Sequence, residues 1–173
     1  MVSMTTTDRA MPPLQADERT TLESWLDFYR ATLAMKCDGL TDDQLRTSSV
    51  PPSPLTLLGL VQHMAEVERN WFRRVLLSEQ IPPIYGPDPH PAGPDGGFDL
   101  VDDITFDIAR ATWESEIAQA RHNCSGRGLE ETSPFMGGQV TLRWIYTHMI
   151  AEYARHAGHA DLIRERIDGA TGV

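Results

Sequence analysis

The spacing of apolar residues is the feature that most limits the fold of this chain. In four stretches, each of roughly 20 residues or more, apolar side chains recur at three- and four-residue intervals, as in helices with one buried face. The second stretch shows this most clearly, and its apolar stripe consists of Leu57, Leu60, Val61, Met64, Val67, Trp71, Val75 and Leu76. No segment shows the apolar and polar alternation that is typical of a strand. The sequence therefore predicts an all-α protein.

Capping residues and helix breakers set the limits of the predicted helices. We expect helices over residues 17–38, 55–79, 103–123 and 141–168. Thr41–Gln44 matches a capping box, which predicts a short helical turn after the first helix. Thr56 and Thr141 stand where N-caps are expected and would place His63 and His148 equally deep in their helices. Four long helices in one chain predict a four-helix bundle.

The connection between the second and third helices is long, and its length predicts how the helices are arranged. Residues 81–102 contain six prolines and four glycines, which mark a loop. Such a loop can span up to ~70 Å, twice the ~35 Å length of the second helix. It can therefore cross the bundle, so that helices two and three run parallel and helix four opposes helix two. A second role, covering a site with Tyr85, His90 and Phe98, stays open.

Length and charge limit the domain organisation and the partners. We expect one domain over residues 17–173, after a flexible N-terminal tail over residues 1–16 that is polar and contains Pro12 and Pro13. The net charge of −10 argues against nucleic acids and anionic membranes as partners, because both require a basic surface.

The compartment that the sequence indicates is the cytoplasm. The N-terminus lacks the basic and apolar segments of a secretory signal, and no apolar run reaches the ~20 residues of a membrane helix. Cys37 and Cys124 are isolated in the sequence, which is typical of a reducing compartment, and no disulfide is expected between them.

Histidines and carboxylates on the predicted helices indicate a metal site. His63 lies on the apolar face of the second helix, where a histidine by itself would be read as a core residue. In the fourth helix His148, Glu152 and His156 follow one another at four-residue spacing and share a face. A buried carboxylate is costly unless it is paired or bound to a cation. One histidine from the second helix, with a carboxylate and a histidine from the fourth, gives a ligand set for Zn²⁺ or non-haem Fe²⁺.

The long loop favours one of two possible pairs on the fourth helix. If helices two and four are antiparallel, His63 lies closer to Glu152 and His156 than to His148. His159 then lies beside the site or in a substrate pocket, and His148 is a deeper or outer polar residue.

The remaining polar and aromatic residues near these positions are given ordinary roles. Glu66 is expected at the rim or surface, although it could also orient His63, and Arg155 is given no role. Three tryptophans are expected to lie in the core, namely Trp25, Trp71 and Trp144.

Two motifs together, TLLGLVQHMAEVERNWF and HMIAEYARHAGHADLIRE, resemble the DinB-like superfamily of bacterial metal-binding four-helix bundles. The likeness covers about residues 17–168 and is greatest to an actinobacterial branch of unknown function. It implies a long crossover between helices two and three. It also implies metal ligands at one histidine of the second helix and two residues four apart on the fourth.

The ligand residues that the resemblance implies are His63, Glu152 and His156. The commonest set in the superfamily is three histidines, and the glutamate here resembles the N-terminal domain of mycothiol-dependent maleylpyruvate isomerases, which use His, Glu and His. Those enzymes carry a further C-terminal domain that this sequence lacks, so isomerase activity is not expected to carry over.

Three functions are consistent with this pattern. The first is a metal-dependent thiol S-transferase or isomerase-like enzyme that activates a low-molecular-weight thiol, such as mycothiol, toward a small electrophilic substrate. The second is a non-enzymatic metal-binding stress or accessory protein, and the third is an interaction bundle without metal. Zinc is the expected ion, although nickel, iron and manganese also accept two histidines and a carboxylate. A homodimer is the expected assembly.

Overall fold

The structure is a computed structural model that describes residues 9–86 and 96–172. These residues form five α-helices, one π-helical turn that continues α3, and two short strands, joined by loops. Their bounds are α1 Glu18–Cys37, α2 Asp42–Leu45, α3 Leu57–Arg69, the π-helical turn Asn70–Val75, α4 Phe106–Cys124, β1 Thr132–Phe135, β2 Gly138–Thr141 and α5 Leu142–Asp168. The predicted all-α class is confirmed.

Side-chain caps begin the helices where the sequence indicated. Thr41 and Gln44 form a complete capping box at α2. The hydroxyl oxygen of Thr56 accepts the Gly59 N–H at the start of α3, and that of Thr141 accepts the Trp144 N–H at the start of α5. Because the caps are local interactions, they fix the helix starts independently of the tertiary fold.

Helices α3 and α5 run antiparallel, as their contacts show. The His63 ring on α3 meets Glu152 on α5, whereas Trp71, farther along the same continuous helix, meets Trp144, which lies earlier in α5. This arrangement is the one that the long loop predicted, and it brings the middle of α3 to the middle of α5.

Helices α3 and α4 run parallel. Arg69 on α3 donates to the Glu116 carboxylate at 2.6 Å, and the Phe72 carbonyl, farther along, accepts the Asn123 side-chain N–H at 3.0 Å, farther along α4. The chain between Val75 and α4 therefore crosses the bundle, and the predicted crossover is confirmed.

A two-stranded hairpin before α5 corrects the prediction that the chain has no strands. Strands β1 and β2 pair antiparallel, with Ser133 opposite Val140 and Phe135 opposite Gly138. Each strand has four residues, which is too short for an alternating pattern to be recognised. The Ser133 hydroxyl donates to the Leu76 carbonyl at 2.7 Å and so holds the hairpin against the end of the π-helical turn.

The core is built from the apolar faces of all four long helices. Cys37 and Cys124 are buried in it as free thiols, as expected. The expectation that three tryptophans lie in the core is right for Trp71 and wrong for Trp25 and Trp144, which are 37% and 47% exposed. Trp25 packs against Phe28 and Tyr29, and Trp144 packs against Trp71 and His148, so each ring is covered only in part. No helix of the described residues is long and apolar enough to cross a membrane.

A buried polar network ties the four long helices together. Arg30 on α1 donates two hydrogen bonds, each 2.8 Å long, to the fully buried Glu68 carboxylate on α3. The Tyr153 hydroxyl on α5 donates to Glu68 at 2.6 Å and accepts from the Trp113 indole on α4 at 2.8 Å. Since Tyr153 directly follows Glu152 in the sequence, this network fixes the rotation of α5 at the predicted metal site.

Candidate metal centre

Three predicted ligands come together between α3 and α5. His63, Glu152 and His156 each offer one ligand atom, and these atoms lie within 4.8 Å of one another. Glu152 Oε1 lies 3.4 Å from His63 Nε2 and 3.1 Å from His156 Nε2. Both histidines are buried, and Glu152 is partly accessible. The cluster therefore has one side toward which a ligand can approach, and it could hold a metal ion.

The His63 ring is held in the form that a metal ligand requires. Its Nδ1 lies 2.7 Å from the Gly96 carbonyl oxygen, which can only accept a hydrogen bond, so Nδ1 carries the proton. In the neutral ring, Nε2 then has a lone pair directed at the Glu152 carboxylate. Two acceptors that face each other require a cation between them, either a proton or a metal ion. The donor set therefore fits a divalent cation that all three residues share.

His156 is oriented in a similar way by a neighbouring histidine. His156 Nδ1 lies 3.2 Å from His159 Nδ1, and one nitrogen donates while the other accepts. If His156 Nε2 binds a cation, its Nδ1 carries the proton and donates to His159. His159 thus contacts the ring at the nitrogen that does not face Glu152. Such outer partners fix the ring orientation of a ligating histidine.

The charge state of the cluster suits a cation. Hydrogen bonds donated by the His156 and His63 rings, which require a proton on each Nε2, hold the pKa of the Glu152 carboxyl well below its usual range, against the opposing effect of burial. A metal cation in place of those protons acts in the same direction. Glu152 is therefore ionised at neutral pH. Burial lowers the pKa of both His148 and His159, and these rings are neutral at pH 7. Arg155, which was assigned no role, is exposed.

The last part of the crossover loop lies against the cluster. The Phe98 ring stacks on His63 with centroids 3.8 Å apart, and lies 5.6 Å from His156. The Gln62 side-chain amide donates to the Gly97 and Asp99 carbonyls at 3.4 and 3.2 Å. Of the three loop residues named as a cover, Phe98 has this position. His90 lies outside the described residues.

Glu66 has a different role from the one expected. It is only 6% exposed, and its Oε1 accepts the backbone N–H groups of Ile84 and Tyr85 at 2.7 and 2.5 Å. The expectation of a rim or surface residue is therefore wrong. Because loop backbone covers this face of α3, Glu66 anchors the beginning of the crossover, and Tyr85 is held there rather than at the cluster.

Gly97 allows the loop to approach His63 this closely, and its replacement by alanine is expected to destabilise the protein. Its φ is +94°, and an added Cβ would lie 2.9 Å from His63 Cα. We expect Gly97→Ala to lower the free energy of unfolding by about 1–3 kcal/mol, measured by urea denaturation. Gly96→Ala is the control, since a Cβ at Gly96 meets nothing within 4 Å. Equal stability of the two variants would contradict this role of Gly97.

An aromatic cluster beside the predicted metal ligands was missed by the sequence analysis. The His148 ring lies parallel to Trp144, with centroids 5.1 Å apart and an interplanar angle of 5°. The same ring lies 4.4 Å from Trp71 on the π-helical turn. The four-residue spacing of Trp144 and His148 was a usable signal, but the contact to Trp71 depends on the antiparallel packing.

Comparison with known proteins identifies the family. The family model described as Mycothiol-S-transferase (MST) matches residues 21–169. A search of the curated proteins found no match. Since the family match covers most of the chain, the chain belongs to the mycothiol S-transferase family, within the DinB-like superfamily. The resemblance drawn from the two motifs is confirmed.

Proposed function

We propose that this member of the mycothiol S-transferase family binds one divalent metal ion at His63, Glu152 and His156 and joins a mycothiol-like thiol, through its sulfur, to an electrophile. The observation that carries the proposal is the convergence of two histidine Nε2 atoms on one ionised carboxylate oxygen, with the His63 lone pair directed at that oxygen. This arrangement is costly without a cation.

The ligand types favour zinc, and nickel, iron and manganese also accept them. The three residues would hold the ion and would leave it accessible to a substrate atom. A divalent cation lowers the pKa of a thiol that binds it, so that the thiolate nucleophile is available at neutral pH.

The residues of the chain hold this site and limit the access of water. The Gly96 carbonyl and His159 orient the two histidine rings. Phe98 covers one face of the His63 ring, and the cluster stays accessible to a ligand at Glu152. In the reaction, sulfur forms a bond to the electrophilic carbon, the leaving group departs with its electron pair, and the thiol proton passes to water.

The two cysteines of the chain are not the nucleophile. Burial raises the pKa of the Cys37 thiol to about 12 and that of Cys124 to about 11. Both thiols are therefore protonated at pH 8, and the reacting thiol is external. We expect neither to react with a chromogenic disulfide reagent in the native protein, and both to react in 6 M guanidinium. Rapid modification of the native protein would contradict this expectation.

The proposal is tested by thiol transfer from mycothiol to 1-chloro-2,4-dinitrobenzene, followed by absorbance. Metal-free protein is expected to be inactive and to regain activity with zinc, whereas His63→Ala stays inactive with zinc. His122→Ala is the control, because His122 is exposed on α4. Equal rates with and without metal would contradict the proposal. Metal binding without transfer from any of mycothiol, glutathione or cysteine would favour the non-enzymatic alternative.

A further inference from the structure

We propose that Trp71, Trp144 and His148 form an aromatic subsite that binds the electrophile, and that this electrophile is an aromatic or similarly flat apolar molecule. The inference rests on the proposed function, because it assigns the second substrate of the same site. We use the name aromatic subsite for these three residues only.

The three rings are packed against one another, with Trp71 only 5% exposed, so that Trp144 and the partly buried His148 present the accessible part of the aromatic subsite. Trp71 lies 5.3 Å from Trp144 and 4.4 Å from His148, and the Trp144 and His148 rings are nearly parallel. Phe135 of the hairpin also packs against Trp71, with centroids 5.1 Å apart. Offset and tilted rings at these distances are the geometry in which aromatic groups attract one another.

The aromatic subsite lies directly beside the metal ligands. Trp144, His148 and Glu152 follow one another at four-residue spacing on α5, so each lies about 6 Å farther along the helix and about 40° around it. A molecule of one or two rings that rests on Trp144 and His148 therefore reaches the accessible side of Glu152. At that position the electrophile would lie next to the sulfur, as the proposed reaction requires.

The structure around Trp71 indicates more than core packing. Trp71 is carried by a π-helical turn, in which the Leu76 N–H bonds to the Trp71 carbonyl at 3.0 Å. Its buried indole N–H has no hydrogen-bond partner among the described residues. Both features cost stability, and π-helical turns are frequent where a helix serves a functional site. Trp144, on the other side of His148, is 47% exposed and offers an accessible ring.

The chemistry of the surface distinguishes between the two substrates. The accessible rings of Trp144 and His148 offer apolar area and few hydrogen-bonding groups, which suits an aromatic molecule. A hydroxyl-rich thiol of the mycothiol type requires several hydrogen-bond partners instead. We therefore assign the aromatic subsite to the electrophile.

The first test is equilibrium dialysis of metal-free protein with 2,4-dinitroaniline, a neutral and unreactive aromatic probe. We expect Trp144→Ala to raise the dissociation constant about three- to tenfold, the effect of one aromatic pair. Trp25→Ala is the matched control, since Trp25 is 37% exposed on α1, next to Phe28 and Tyr29. The same constant in Trp144→Ala as in the parent, or an equal rise in both variants, would overturn the inference.

The second test separates the two substrates kinetically in the zinc-loaded protein. Trp144→Ala is expected to raise KM for 1-chloro-2,4-dinitrobenzene about three- to tenfold. It is expected to leave KM for mycothiol and for iodoacetamide unchanged. A rise in KM for the thiol instead would overturn the assignment. Because the dialysis requires neither metal nor turnover, probe binding that depends on Trp144 would support the aromatic subsite even if transfer activity were absent.

Discussion

Glu152→Gln is expected to weaken the binding of divalent metal by more than about 100-fold, because changes to residues that only orient ligands already cost 10- to 100-fold. The substitution removes the single negative charge between two histidine nitrogens and preserves the size of the side chain. The amide N–H groups of glutamine can donate to the Nε2 lone pairs of His63 and His156. The variant therefore stays folded without metal.

The measurement is a competition titration with a chromophoric zinc chelator, together with circular dichroism to verify the fold. Glu165→Gln is the matched control, because Glu165 lies on the same helix and is exposed. Unchanged affinity in Glu152→Gln would show that Glu152 is not a ligand. Equal losses in both variants would point to a general effect of charge rather than to this site.

Arg30→Ala is expected to destabilise the protein by about 3–5 kcal/mol, the typical effect of removing one partner from a buried ion pair. Its partner Glu68 has no exposed surface and accepts two of the guanidinium hydrogen bonds. Without the guanidinium, a carboxylate remains in the core with the Tyr153 hydroxyl as its one hydrogen-bond donor among the described side chains. Urea denaturation, followed by helical circular dichroism, measures the loss.

Two further variants distinguish the buried pair from charge loss in general. Arg121→Ala removes an arginine that is 59% exposed and pairs with Asp27, and we expect a change of less than about 1 kcal/mol. The double variant Arg30→Met with Glu68→Gln removes both buried charges and keeps an acceptor for Tyr153. It is expected to recover most of the stability. A loss below about 1 kcal/mol in Arg30→Ala would contradict the role of this network.

The parts of the fold that depend on local interactions were predictable from the sequence. Apolar spacing gave the helices, and the hydroxyls of Thr56 and Thr141 gave the start of the two helices that carry the ligands. The length of the 81–102 loop gave the crossover, and this decided in favour of Glu152 and His156 over His148. Apolar spacing, the helix caps and the loop length together therefore predicted the position of the candidate site.

The contacts that complete the site depend on long-range packing and were not predictable. Nothing near His63 in the sequence indicates that the Gly96 carbonyl fixes its tautomer or that Phe98 stacks on it. Glu66 could not be recognised as a loop anchor, because its partners are the backbone N–H groups of Ile84 and Tyr85. Backbone groups are the same at every non-proline residue, so the sequence does not indicate which of them a carboxylate will bind. A single domain over 17–173, the homodimer and the cytoplasmic location stay predictions.

Elemental analysis of the purified, untagged protein measures whether His63, Glu152 and His156 bind a metal ion. We expect about one equivalent of a transition metal per chain, most simply zinc, and little in His63→Ala prepared in parallel. A parent protein that is purified without metal and takes up neither added zinc nor added nickel would rule out the proposed metal site. In that case a proton between His63 Nε2 and Glu152 would take the place of the metal ion.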